Sequence, residues 1–203
     1  MSRLIPPSIS KIMVRNQFLT LLSAFLLLIL FTKASPQEQP IPFVPSPMPV
    51  VDRMLELAEV KRDDVVYDLG SGDGRIVIQA AKKYGAKGVG IDLDPKLVEL
   101  AQAKALEEGV SHLVEFHAGD ALTVDISGAT VVTLYMFRWF NNQMRPKLQR
   151  LKPGTRIVAH DFDVEGWPPT KVEYLPENLA GPDDFGQPRT LYLWKIEGRP
   201  SPP

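Results

Sequence analysis

A doubly wound α/β fold with a mostly parallel sheet is what this sequence predicts, on three observations. Short β-branched runs alternate with amphipathic helical stretches from residue 50 to residue 197, which requires crossover connections and a sheet covered on both faces. The glycine-rich turn Gly70-Ser71-Gly72-Asp73-Gly74 follows the first of these runs directly. In open sheets such a bare turn lets a ligand approach the main chain. Finally, Asp68, Asp92 and Asp120 stand at the ends of three successive strand candidates, so carboxylates collect along one rim.

Taken in order, Val51, Met54, Leu55 and Ala58 follow helical spacing, and VVDRMLELAEV is expected as an amphipathic leading helix. DVVYDL reads as the first strand. RIVIQAAKKY follows as a helix with Val77, Ala80, Ala81 and Tyr84 on one face, closed by Gly85. GVGIDL is the second strand, and Asp94-Pro95 supplies an N-cap and first-turn proline for PKLVELAQAKALEE, which stops at Gly109. LVEFH and TVVTLYM are expected as the third and fourth strands, and FRWFNNQMRPKLQRL as a helix with a kink site at Pro146. RIVAHDF is the fifth strand after the KPGT turn, and residues 171–175 and 190–196 read as two more.

Upstream of the domain, NQFLTLLSAFLLLILFT is 17 residues without a charge, with Arg3, Lys11 and Arg15 before it and Lys33-Ala34 after it. A basic start, an apolar centre and a small residue at Ala34 fit a signal peptide. The length also meets the lower edge of a membrane span, roughly 17 residues. Basic residues ahead of the run predict an inside N-terminus and a domain on the far side of the membrane, although Lys33 opposes this. The expected localisation is therefore membrane-anchored by a single N-terminal segment, or exported to the periplasm after cleavage. SPQEQPIPFVPSPMP reads as a polyproline-like linker. The expected division is a signal peptide or anchor over 1–34, a linker over 35–49, a folded domain over 50–197 and a tail over 198–203.

Composition narrows the function classes. With 203 residues, 44% of them hydrophobic, the chain can build a sizeable core. Four of its 23 basic residues precede residue 35 and no acidic ones do, so the remainder carries 19 basic against 24 acidic groups, a net of −5. That argues against a nucleic-acid partner and mildly favours basic substrates. Zero cysteines exclude disulfides, thiolate zinc sites and thiol nucleophiles. His112, His117 and His160 are scattered, and no metal is expected.

Spacing discriminates between the cofactors that use a glycine turn. A dinucleotide fingerprint needs G-x-G-x-x-G, but Arg75 stands where its last glycine belongs and the extra glycine falls at 74. Asp68 would repel a diphosphate yet could pair with a cationic amino-acid moiety, which favours a positively charged nucleoside. Asp92 stands twenty residues past Gly72, where a carboxylate can accept from both ribose hydroxyls. Asp120, in HAGDA, can read an adenine edge with its side chain and adjacent N–H. Each acid alone reads as a cap or turn residue; their shared order along the rim points to a ligand.

DLGSGDG, GIDLDP and HAGDA resemble the first three motifs of class I S-adenosylmethionine-dependent methyltransferases, across residues 43 to 196. More narrowly, FVPSP, VVYDLGSGDGRI, VDISGATVVTLY and RPKLQRLKPGTRIVAHDF followed by GW are similar to the archaeal broad-specificity protein lysine methyltransferases and their mitochondrial relatives that modify membrane-complex lysines. The resemblance implies a Rossmann-like, seven-stranded sheet with its last strand antiparallel, S-adenosylmethionine as cofactor and a protein substrate engaged through a lysine side chain. It also implies that Asp68, Gly70, Ser71 and Gly72 line the methionyl part, Asp92 and Leu93 the ribose, and Asp120 and Ala121 the adenine. Residues 43–47 are then either linker or a rigid strap beside the cofactor pocket.

Methyl transfer to an amine needs alignment and an unprotonated nucleophile. After the fourth strand the chain reads LYMFRWF. It lacks the [Asn/Asp]-Pro-Pro-aromatic turn by which enzymes methylating planar nitrogens resemble one another, so adenine and glutamine are disfavoured as acceptors. A lysine amine needs only deprotonation, which desolvation assists. Tyr135, His160, Asp161 and Asp163 are the candidates around the acceptor channel, each with packing as its alternative. Trp139, Phe140 and Trp167 are expected to pack or form a lid. A small-molecule O- or N-acceptor, or a non-catalytic anchored domain of the same fold, are the competing readings.

Overall fold

A computed structural model of the chain describes residues 43–181 and 186–198. The expected signal peptide or anchor, most of the expected linker and all but the first residue of the expected tail lie outside the described residues. Among those described, no helix is long and apolar enough to cross a membrane.

The leading helix α1, Met48–Leu57, starts two residues ahead of the expected domain boundary, with a proline in its first turn. Its stripe of Val50, Val51, Met54 and Leu55 is fully buried. Then follow β1 (Val65–Leu69), α2 (Arg75–Tyr84), β2 (Lys87–Asp92), α3 (Pro95–Glu107), β3 (Val114–Ala118), β4 (Val131–Leu134), α4 (Arg138–Leu148) and β5 (Arg156–His160). The chain ends with β6 (Lys171–Tyr174), a short α5 (Glu177–Ala180) and β7 (Thr190–Lys195). The sequence pattern anticipates all of these elements except α5, a single turn too short to show periodicity. α4 runs through Pro146 and stops at Leu148, three residues before its expected end. A proline in the last turn removes one N–H and leaves little to continue.

The seven strands run in the order β3-β2-β1-β4-β5-β7-β6. β1 to β5 are mutually parallel, whereas β7 lies antiparallel between β5 and β6. Parallel central strands are covered on both faces and so read as continuous apolar runs, and all four residues of β4 are buried. On one face α1, α2 and α3 pack Met54, Val77, Ala80 and Ala101 against Val66, Val131 and Val158. On the other, Phe140, Met144 and Leu148 of α4 pack against Leu69, Leu134, Ile157 and Trp194. The chain order reverses between β1 and β4, whose ends meet at Leu69 opposite Leu134. The crevice outside these ends is where such a fold places a ligand.

Candidate functional site

The turn after β1 is lashed to β2: the backbone N–H groups of Gly70 and Ser71 both donate to Ile91 O, at 2.8 and 2.9 Å. Gly70 and Gly72 adopt φ of 84° and 53°, a region costly for side chains bearing Cβ. A side chain there would also displace a neighbour. A Cβ on Gly70 would lie 2.6 Å from Met136 Sδ, and one on Gly72 would lie 2.3 Å from the ring of Phe43.

Asp92, at the end of β2, closes this turn from below. Its Oδ2 accepts from Gly72 N at 2.7 Å and its Oδ1 from Asp94 N at 2.9 Å. Gly119 N in turn donates to Asp92 O at 2.8 Å, which brings the loop holding Asp120 and Ala121 alongside. Asp120 Oδ1 accepts from Leu122 N at 2.9 Å, a turn-forming bond, and Ala121 is buried while Leu93 is exposed.

Asp68 is buried on β1, where Thr133 Oγ1 of the neighbouring β4 donates to its Oδ1 at 2.7 Å. Burial pushes this carboxyl up to about 7, against the pull of the Thr133 bond and helped by the charges of Asp92 and Asp73. Among the described residues, no cation pairs with Asp68. Asp73 has two: against the effect of burial, Arg75 and Lys104 hold it at about 2. Ser71 Oγ is buried without a hydrogen-bond partner among the described residues.

Across the crevice, Tyr135, His160 and Asp161 come together at the ends of β4 and β5. Tyr135 stacks on the His160 ring with centroids 4.0 Å apart. His160 is fully buried, with Nδ1 2.9 Å from Ser46 Oγ and Nε2 3.2 Å from Asp161 Oδ2. Burial first, and the nearby Arg189 second, push the imidazole down to about 3, so it is neutral at ordinary pH. Asp163 instead turns to Arg138, 3.1 Å away at the start of α4. Phe140 is core, and Trp167 packs on Trp194 while its carbonyl accepts the indole N–H at 2.9 Å. Trp139 is half exposed.

Sequence reasoning missed Ser46, Thr133 and Arg189 as members of the site. Ser46, within the segment weighed as linker or strap, is buried; its carbonyl accepts from Arg75 Nη1 at 2.8 Å while its hydroxyl meets His160. Thr133 has one signal, as the only hydroxyl in the VVTL run. Arg189 belongs to no pattern.

The profile of the ANTKMT methyltransferase domain matches residues 68–171. A protein-lysine N-methyltransferase of Saccharolobus islandicus (strain REY15A) is 42% identical over 158 residues, 77% of this chain and 94% of that protein. An adenine nucleotide translocase lysine N-methyltransferase of Mus musculus is 32% identical over 138 residues, 68% of this chain but only 60% of that protein. In crystal form, an RNA methyltransferase from Salinibacter ruber in complex with S-adenosyl-L-homocysteine superposes with a TM-score of 0.70. It is 51% identical and covers 79% of this chain and 98% of its own.

Proposed function

The chain belongs to the ANTKMT methyltransferase family, and from that premise we propose that it methylates the ε-amines of protein lysines. It is an S-adenosylmethionine-dependent methyltransferase. The observation that carries the acceptor assignment is the near-full-length likeness to a protein-lysine N-methyltransferase, 94% of which this chain covers.

The residues at the crevice fit such a cofactor. Asp68, raised by burial and without a cationic partner among the described residues, suits the positive amino-acid end. The bare turn of Gly70, Ser71 and Gly72 receives the methionyl chain; Asp92 with Leu93 takes the ribose, and Asp120 with Ala121 the adenine. Both Asp92 oxygens already accept one backbone N–H each, which fixes the carboxylate and leaves a lone pair on each for a hydroxyl. When bound, S-adenosylmethionine supplies an electrophilic methyl, so that the amine N–C bond forms as the S–C bond breaks and S-adenosylhomocysteine leaves as a neutral thioether. The chain's part is to hold the amine in line and dry. The amine sheds its proton to solvent beforehand. Tyr135, neutral His160 and Asp161 form the wall nearest that step, and residues 43–47 lie over the turn as a strap through Phe43 and Ser46.

An RNA acceptor is the second reading, favoured by the likeness to the Salinibacter protein. The net −5 of the chain from residue 35 onward opposes it, since phosphate backbones are bound through clustered cations. Purified protein given methyl-labelled cofactor and a whole-cell extract tests both. Label recovered as methyl-lysine after acid hydrolysis of protease-sensitive material is the expected result; label in RNase-sensitive material overturns it.

For localisation we propose a membrane anchor formed by the uncharged residues 16–32, with cleavage and export as the alternative. The composition of that run and the basic residues ahead of it support this reading. Membrane fractionation with mass spectrometry of the native N-terminus distinguishes the two.

A further inference from the structure

Arg189 stands immediately before β7, and its guanidinium reaches the ends of β4 and β5. The residue is only 9% exposed. A single nitrogen, Nη1, lies 3.1 Å from Asp161 Oδ2, 3.4 Å from His160 Nε2 and 3.5 Å from Tyr135 Oη. Nε is buried and has no hydrogen-bond partner among the described residues. Buried polar groups are normally satisfied, so this fork is not spent wholly on holding the fold. Nor is a buried ion pair in itself a strong stabiliser, because desolvation offsets most of its attraction.

Asp161, the partner of Arg189, is held in an unusual conformation. Its φ of 59° is left-handed, a conformation costly for a residue with a side chain. Thr190 pins it from both sides: Asp161 N donates to Thr190 O at 2.7 Å, and Asp161 Oδ1 accepts from Thr190 N at 2.9 Å. Arg189 takes the other oxygen. Strain of this kind persists where surroundings over-determine it, and it clusters at working sites. Here the surroundings are β7, the end of β5 and the strap residue Ser46, which meet around His160.

We propose that Arg189 is a positioning residue for methyl transfer: by fixing Asp161 and His160 in one arrangement, it sets where the acceptor nitrogen meets the methyl donor. This rests on the methyltransferase reading above and deepens it, since Arg189 acts through its neighbours on the acceptor side rather than by holding the cofactor.

The test compares full-length wild type, Arg189→Lys, Arg189→Gln and Asp161→Asn. S-adenosylhomocysteine affinity is measured by calorimetry, and kcat and KM are measured on whichever extract fraction takes label from the wild type. Arg189→Gln is expected to lose ~10- to 100-fold in kcat, the scale of a small misplacement, while its affinity for S-adenosylhomocysteine stays within about threefold, a shift too small to mark a lost cofactor contact. Arg189→Lys, which restores the charge without the fork, should recover part of the loss. Asp161→Asn should reproduce it, and it decides the matter if Arg189→Gln does not fold. Unchanged kcat in the folded variants, or cofactor affinity falling in step with kcat, overturns the proposal. Label confined to RNA or small molecules defeats the lysine assignment while Arg189 is still judged on that acceptor. A wild type that transfers methyl to nothing defeats both.

Discussion

Asp68 and Asp73 lie five positions apart and titrate in opposite directions, because one is buried among carboxylates and the other between Arg75 and Lys104. From pH 4 to about 7 the unfolded chain gives up the Asp68 proton that the folded chain keeps, so this group lowers stability as pH rises. Asp68→Asn should therefore melt higher than wild type at pH 8, with the advantage vanishing towards pH 4, while binding S-adenosylmethionine more weakly. Differential scanning calorimetry and titration read the two effects. His160 has the other sign. Its folded value of about 3 lies below the ordinary 6.5, so stability is lost as pH falls from about 6.5 towards 3, where only the unfolded state binds the proton. In His160→Gln that acid-side slope of melting temperature should flatten. Asp92→Ala removes the acceptor of Gly72 N and should weaken S-adenosylmethionine binding by about 1–3 kcal/mol, measured by titration calorimetry. The three rim acids are legible in the sequence because each closes a strand in a recurring motif. Arg189 and Ser46 are not, since what makes them matter is which distant side chains they touch.

Elements are easier to read than sites. β-branched runs and the stripes of α1 and α2 follow from burial periodicity alone, whereas helix ends depend on single residues such as Pro146. At the opposite end of the sheet from the crevice, Asp64 gathers Thr130 Oγ1 at 2.6 Å, Lys61 N at 2.7 Å and the guanidinium of Arg156. Arg156 also donates to Ala58 O and Glu59 O, both at 3.1 Å. This network ties the end of α1 to the starts of β1 and β5. Although burial opposes it, the hydrogen bonds from Thr130, Lys61 and Arg156 hold Asp64 below the usual carboxylate range. Asp64→Ala should cost about 3 kcal/mol by urea unfolding, the low end for one lost partner of a buried pair, with cofactor affinity unchanged because the crevice lies at the other end.

For the molecule as a whole, the doubly wound architecture follows from the alternation of strand and helix patterns, and the position of the crevice follows from the order reversal between β1 and β4. What the sequence leaves open is whether residues 43–47 belong to the folded unit. Phe43 begins that unit, and the reason is spatial: its ring fills the space over Gly72, while Ser46 is held by Arg75 and His160. Replacing residues 43–47 by Gly-Ser repeats in the full chain should lower S-adenosylmethionine affinity at least ~10-fold, the scale of one lost buried contact, with far-UV circular dichroism unchanged. Retained affinity would assign the segment to the linker after all.

The double fastening of Ser46 couples the two walls of the crevice. Because one serine is bonded both to Arg75 at the start of α2 and to the imidazole at the end of β5, any shift of that serine away from the glycine turn would cost the opposite wall a partner as well.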